Sequence, residues 1–322
     1  MKKIALNIFL CLFFFAAKAQ QLPQYTQYLQ NMQVINPALS GIYQAVQAKT
    51  AIRNQWTGIE NAPRTAYVSL SMPVNFDPYY LVSRSTDFGI SDPENQIEAD
   101  QYHSSEKHHG IGMMILHDEA GGFKRSSALF TYAYHLKLGD MANLSVGVGA
   151  GIKRNAVELG GLNFADPDEP ILSEGDMINW APDLQLGVYF YSGKGFAGAS
   201  IHQILPSKLA YGTAGQVNER NYKHYFLTAG LREWLGDDIS LTPSVMLRYV
   251  RPFPLGTDLN LKVAYRNDVW LAGSFRRADS FSPMFGFGLG ESLEVGYAYD
   301  FNLSPIGSAV GGSHELTLGL KW

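Results

Sequence analysis

The 322-residue sequence predicts an all-β fold, a transmembrane outer-membrane β-barrel of about fourteen antiparallel strands. Three observations carry that prediction. Apolar residues alternate with polar or small ones in short segments along the chain and into its last residue, where Leu316, Leu318, Leu320 and Trp322 interleave with Glu315, Thr317, Gly319 and Lys321. Charged residues make up only 17% of the chain, below the roughly 25% of ordinary soluble domains, while aromatics reach 13% and glycines number 32. After residue 19 no run approaches the roughly 20 apolar residues of a membrane helix, so a membrane-embedded chain of this kind must cross with strands.

Residues 1–19 read as a secretory signal peptide. Lys2 and Lys3 precede an apolar run from Ile4 to Phe15 that is too short to span a bilayer, and Ala17, Lys18 and Ala19 supply a small-x-small cleavage site. Cys11, the sole cysteine, lies inside it, so the mature chain from about Gln20 is expected to carry no thiol or disulfide. Without Lys2, Lys3 and Lys18 the mature chain has 22 basic against 29 acidic side chains, a formal charge of −7 that argues against a nucleic-acid partner.

Residues 20–45 form a polar N-terminal segment, rich in Gln and Asn, which cannot bury enough apolar area to fold alone and needs a host surface in the lumen or at the periplasmic rim. Asn36-Pro37 and Ser40-Gly41 are turn chemistry, and Tyr25, Tyr28, Ile35 and Leu39 are its expected anchors. Residues 46–322 are assigned to the barrel. Alternation predicts strands at 46–53, 66–72, 111–116, 128–138, 142–152, 183–190, 196–203, 225–231, 241–249, 259–265, 269–275, 284–289, 293–299 and 314–322. In 142–152, for example, Leu144, Val146, Val148, Ala150 and Ile152 suit lipid, while Ser145, Gly147, Gly149 and Gly151 suit a crowded lumen.

Single-chain bacterial barrels have short periplasmic turns and longer external loops. Short connections at 139–141, 192–195, 234–238, 267–268 and 290–292 fit the periplasmic side, which would also hold both termini, and 155–182, 205–221 and 302–312 fit the outside. The long polar insertion 73–108 departs from the rule, since parity places it on the periplasmic side. A soluble sandwich or lipocalin-like barrel also alternates, but it needs a charged exterior that these strands lack.

No catalytic, cofactor-binding or metal residue is assigned, and no cofactor is expected. The carboxylates of 155–182 lack calcium-loop spacing. His108 and His109 are adjacent on a strand and point to opposite faces, which defeats a zinc site with His103 and Glu106. Ser200 and His202 share a face without a nucleophile elbow. Arg248, Lys262, Arg266, Arg276 and Glu294 are expected to form a lumenal salt-bridge network. Arg53 beside Trp56, with Gly58 and Pro63 fixing the turn, is expected either to clamp the N-terminal segment in the lumen or to contact a partner.

The run Gln21 to Tyr28, Asn31, Ile35-Asn36-Pro37-Ala38-Leu39-Ser40-Gly41, Arg53-Asn54-Gln55-Trp56-Thr57-Gly58 and Asn61-Ala62-Pro63 resembles the PorP/SprF family of outer-membrane proteins of type IX secretion. Gly110-Ile111-Gly112, Asp118, Gly121, Tyr132-Ala133-Tyr134, Gly296-Tyr297-Ala298-Tyr299-Asp300 and Ser313-His314-Glu315 extend the resemblance over most of the mature chain. The insertion 73–108 departs from the family's usual short loop. The resemblance implies a non-enzymatic component of secretion or gliding-type machinery that helps export or surface-anchor a large secreted protein, such as an adhesin, by binding its C-terminal targeting domain. Periplasmic type IX ring or peptidoglycan-binding components and outer-membrane lipid are further implied partners. Asn36, Pro37, Gly41, Arg53, Gln55, Trp56, Gly58 and Pro63 are the candidate partner-binding or plug residues, and Leu316, Leu318, Leu320 and Trp322 mark the barrel-closing strand. The competing reading is a porin or FadL-like channel for small or apolar solutes.

Overall fold

The structure, a computed structural model, describes residues 22–43, 45–74, 102–158, 177–206, 208–211, 217–220, 222–236, 238–266, 268–290, 292–304 and 310–322. Fourteen antiparallel strands close into a ring. In chain order they are β1 (Gln47–Asn54), β2 (Arg64–Val74), β3 (His108–Ala120), β4 (Phe123–Lys137), β5 (Ala142–Val157), β6 (Met177–Ser192), β7 (Gly195–His202), β10 (His224–Leu231), β12 (Ile239–Val250), β13 (Gly256–Tyr265), β14 (Val269–Arg276), β15 (Ser280–Leu289), β16 (Leu293–Asn302) and β17 (Ser313–Lys321). Between β7 and β10 a two-stranded hairpin, β8 (Lys208–Tyr211) with β9 (Val217–Arg220), stands outside the ring. The short β11 (Glu233–Leu235) keeps β10's register against β12: Gly230 faces Ser244 and Glu233 faces Leu241. Between them lies Pro243, which has no N–H for the ladder, so the strand is split there.

Each predicted ring strand overlaps an observed one. The ring closes between β1 and β17, from Gln47 opposite Lys321 to Asn54 opposite His314, and the backbones of Val46 and Trp322 exchange hydrogen bonds of 2.9 and 3.1 Å beyond it. Leu316, Leu318, Leu320 and Trp322 are all exposed on the outer wall. So are Val146, Val148 and Ile152, and Phe130 and Tyr132, whereas Ser145, Thr131 and His135 face inward and are buried. An apolar exterior around a polar interior inverts the pattern of a water-soluble barrel and is that of the outer membrane.

The strands β5 and β6 are longer than expected, reaching Val157 and starting at Met177, so 155–157 and 177–182 are wall rather than loop. Alternation fades there because Lys153, Arg154 and Asn155 put polar groups on both faces. Residues 159–176, with Asp166, Asp168, Glu169, Glu174 and Asp176, lie outside the described residues, as do 75–101 of the insertion and 207, 212–216 and 221 of the expected loop 205–221. The five short turns all fall at the end of the barrel that holds Trp322, called here the C-terminal end. The opposite, loop end is not uniformly long, since β3–β4 and β14–β15 turn in two and three residues.

Candidate functional site in the barrel lumen

The N-terminal segment fills the lumen. From Tyr25 to Ile42 every residue but the half-buried Leu29 is buried. The segment runs the length of the barrel: the Leu22 N–H donates to His224 at the loop end, and Ser40 and Gly41 meet β2, β3 and β4 near the C-terminal end. Leu22 is therefore at the opposite end from Trp322, which corrects the expectation that both termini share one side. Three single-turn 3-10 helices, Tyr28–Gln30, Met32–Val34 and Pro37–Leu39, shape the plug. In the last, Pro37 begins the turn and the Asn36 side chain accepts from Ala38 N, which is N-cap chemistry.

Shape secures the half near the C-terminal end. A Cβ on Gly110 would lie 1.8 Å from Ser40 O, and one on Gly187 1.9 Å from Asn36 Oδ1. Gly41 itself sits at φ +72°, a conformation open to glycine at no steric cost. These close approaches are then locked by polar contacts. Asn36 Nδ2 donates to Val188 O at 3.0 Å and Ser145 Oγ to Ala38 O at 2.7 Å. Ser200 Oγ and His202 Nε2 both meet Ile35 O at 2.6 Å, so this pair holds the plug. His108 and His135 stack with ring centroids 4.3 Å apart and reach Gly41 O and Ser40 O at 3.0 and 2.9 Å. His109, on the outer face, instead meets Tyr132 Oη at 2.6 Å.

Charge secures the other half. The Arg53 guanidinium is buried and donates to Asp300 at 2.6 Å, to Glu315 at 3.2 Å and to Thr26 Oγ1. Glu315 accepts from Thr26 N at 2.8 Å and Gln27 N at 2.9 Å. Gln27 Nε2 donates to Glu315 O at 2.9 Å, and Thr26 Oγ1 lies 3.0 Å from both Asp300 oxygens. Alongside, Arg276 pairs with Asp258 and Asp279 and donates to Tyr25 O. Lower in the lumen Lys49 Nζ donates to Gln30 O and Lys262 Nζ to Gln30 Oε1, while Asn260 donates to Tyr28 Oη at 2.6 Å. A buried ion pair is costly to desolvate, and here both carboxylates find further partners in Thr26 and Gln27.

Arg53 reaches the N-terminal segment at Thr26 and is held by two carboxylates rather than stacked on Trp56. Trp56, at φ 51°, leaves the wall: its N–H donates to Ser313 Oγ, and Gln55 N bonds Pro63 O to close the β1–β2 loop around the exposed Gly58. The candidate residues therefore separate. Asn36, Pro37 and Gly41 lie in the plug, Arg53 in the lumen wall, and Gln55, Trp56, Gly58 and Pro63 at the loop end. Of the expected lumenal network, Arg248 and Arg276 share Asp258, and Glu294 accepts from Trp270 Nε1 at 3.0 Å. Arg266 does not belong to it; it is exposed in a turn and pairs with Asp238 at 2.7 Å. Asp258, Asp300 and Glu315 are the residues that pattern reading did not place in a site, although each is a carboxylate at an inward position of an alternating strand.

A cavity of about 60 Å³ remains beside the plug at the C-terminal end, between Leu29, Met32, Leu39 and Ile42 and the wall at Phe196, Arg232 and Lys262. No group of three or more His, Cys, Asp or Glu placed to hold a metal occurs among the described residues.

No curated protein matches the chain. Among solved structures, the CymD monoaromatic hydrocarbon channel aligns with TM-score 0.50 at 10% identity, over 90% of this chain and 92% of that one. The Ralstonia pickettii toluene transporter TbuX aligns at 0.49 and 10% identity, over 90% and 93%. The translocator domain of the Neisseria meningitidis autotransporter NalP aligns at 0.45 and 12%, over 86% and 88%. At such identities the likeness to CymD is one of fold. The family model described as type IX secretion system membrane protein PorP/SprF matches residues 17–320, and the chain belongs to that family.

Proposed function

We propose that this protein is a non-enzymatic outer-membrane component of type IX secretion, of the kind that serves gliding-type machinery. In this reading it helps export or surface-anchor a large secreted protein, such as an adhesin, by binding its C-terminal targeting domain. Residues 1–19 are its signal peptide, the loop end faces outward, and the C-terminal end meets periplasmic ring or peptidoglycan-binding components. The observation that carries the reading, beyond family membership, is the plug: a lumen occupied from Tyr25 to Ile42 by its own chain suits a protein-binding barrel better than a diffusion pore. A deletion strain tests it. Loss of one surface protein with the rest of the secretome intact is expected; unchanged secretion, with sustained single-channel conductance from purified protein, overturns it.

A channel for small apolar solutes is the second reading, favoured by the apolar plug side of the 60 Å³ cavity. Conductance or solute uptake by the wild-type protein would support it.

A further inference from the structure

The two halves of the plug are held by different means, and the difference is informative. Residues 36–41 fit their floor of glycines by shape, which admits little else. Residues 25–27 are gripped by charged groups, through main chain and side chains alike. Glu315 takes the consecutive N–H groups of Thr26 and Gln27, and Arg276 donates to Tyr25 O at 3.5 Å. The Glu315 carbonyl, Asp300 and Arg53 then bind the short polar side chains of Gln27 and Thr26. A carboxylate that accepts two successive amides reads backbone rather than sequence. Arg53 Nε, in a side chain 4% exposed, makes no hydrogen bond, so the strip holds a spare buried donor. The strip also lies at the loop end: Arg53 is one residue from the end of β1, Asp300 two from the end of β16, Glu315 the third residue of β17 and Arg276 the last of β14.

We propose that this strip of Arg53, Asp300, Glu315 and Arg276 is a binding site for a bent polypeptide segment whose successive N–H groups converge on one carboxylate, occupied here by the protein's own residues 25–27. It takes a segment of the secreted partner when those residues withdraw, a step that rests on the partner reading above. The glycine-seated half, residues 36–41, stays in place as the lumen floor.

The test uses the full chain in detergent and a fluorescent synthetic peptide with the sequence of residues 22–30. A Gln27→Cys/Thr317→Cys variant is bridged with dibromobimane, which fluoresces only when both sulfurs react; the Thr317 hydroxyl and the Gln27 side-chain oxygen are 3.1 Å apart. Peptide uptake, read by anisotropy, is expected in the wild type and the unbridged variant. It should fall at least about tenfold on bridging. Equal uptake by bridged and unbridged protein, or none by either, overturns the site. Heat-modifiable gel migration shows that each form is a folded barrel, and Glu315→Gln, expected to speed exchange of the native segment, is a second variant. Peptide exchange without any retained secreted protein leaves the site standing and removes its partner. A secreted protein retained equally by bridged barrels removes the site alone.

Discussion

Removing one charge from the lumenal clamp should loosen the plug while leaving the wall intact. In Glu315→Gln the isosteric amide keeps the volume but takes one acceptor from the Thr26 and Gln27 amides and the negative partner from Arg53 at 3.2 Å. The Arg53, Asp300 and Glu315 side chains are 4%, 2% and 1% exposed, so water cannot compensate readily. Breaking a buried pair of this kind costs about 3–5 kcal/mol. Arg53→Met should cost a similar amount, because it leaves two carboxylates facing each other. Because Arg53 and Glu315 touch each other, the double variant should lose less than the sum, with a coupling of about 1–3 kcal/mol. The assay is the rate at which a cysteine at Gln27 reacts with a maleimide in detergent, compared across the four proteins, with gel migration checking the barrel. Additive effects, or single changes worth under about 0.5 kcal/mol, would refute the clamp.

The glycine floor predicts steric expulsion. Gly110→Val should displace the plug near Ser40, read as faster labelling of a cysteine at Ala38, because even a Cβ would meet Ser40 O at 1.8 Å; unchanged labelling would contradict the seating. The combination Ser200→Ala/His202→Phe removes both groups that bond Ile35 O and should destabilise the same half by about 1–3 kcal/mol, measured by labelling at Ile35. Wild-type protein in planar bilayers is expected to conduct little, and a variant lacking residues 22–43 to conduct far more if its barrel still assembles. Trp56→Ala, in contrast, should leave plug labelling within about 0.5 kcal/mol of wild type, since Trp56 lies outside the lumen and only its backbone N–H bonds Ser313.

The wall was legible because outward Leu316, Leu318 and Leu320 and inward Glu315 and Thr317 solve the same two-sided problem at every strand. The extra lengths of β5 and β6 were not, as polar residues there stand above the apolar belt and lose the alternation. The segment from Gln20 to Gly41 could be seen to need a host, and Tyr25, Tyr28, Ile35 and Leu39 are indeed its buried contacts. Its path could not be seen. A Gln-rich chain without secondary-structure period carries no sign of which end of a barrel it starts from, and the direction is set by pairings such as Thr26 with Glu315 that join residues 289 apart. The glycines at 110, 147 and 187 are similarly mute in sequence, where a small inward residue means only space. The aromatic three residues after Arg53 was a misleading cue, since β1 ends at Asn54 and Trp56 already belongs to the loop.

Purification of the tagged protein from its own membranes in mild detergent, followed by mass spectrometry of whatever stays bound, tests the central claim most directly. A large secreted protein with a C-terminal targeting domain, retained at comparable abundance, is the predicted result. A preparation that holds only lipid or small solute, with normal surface display in cells that lack the barrel, would contradict it.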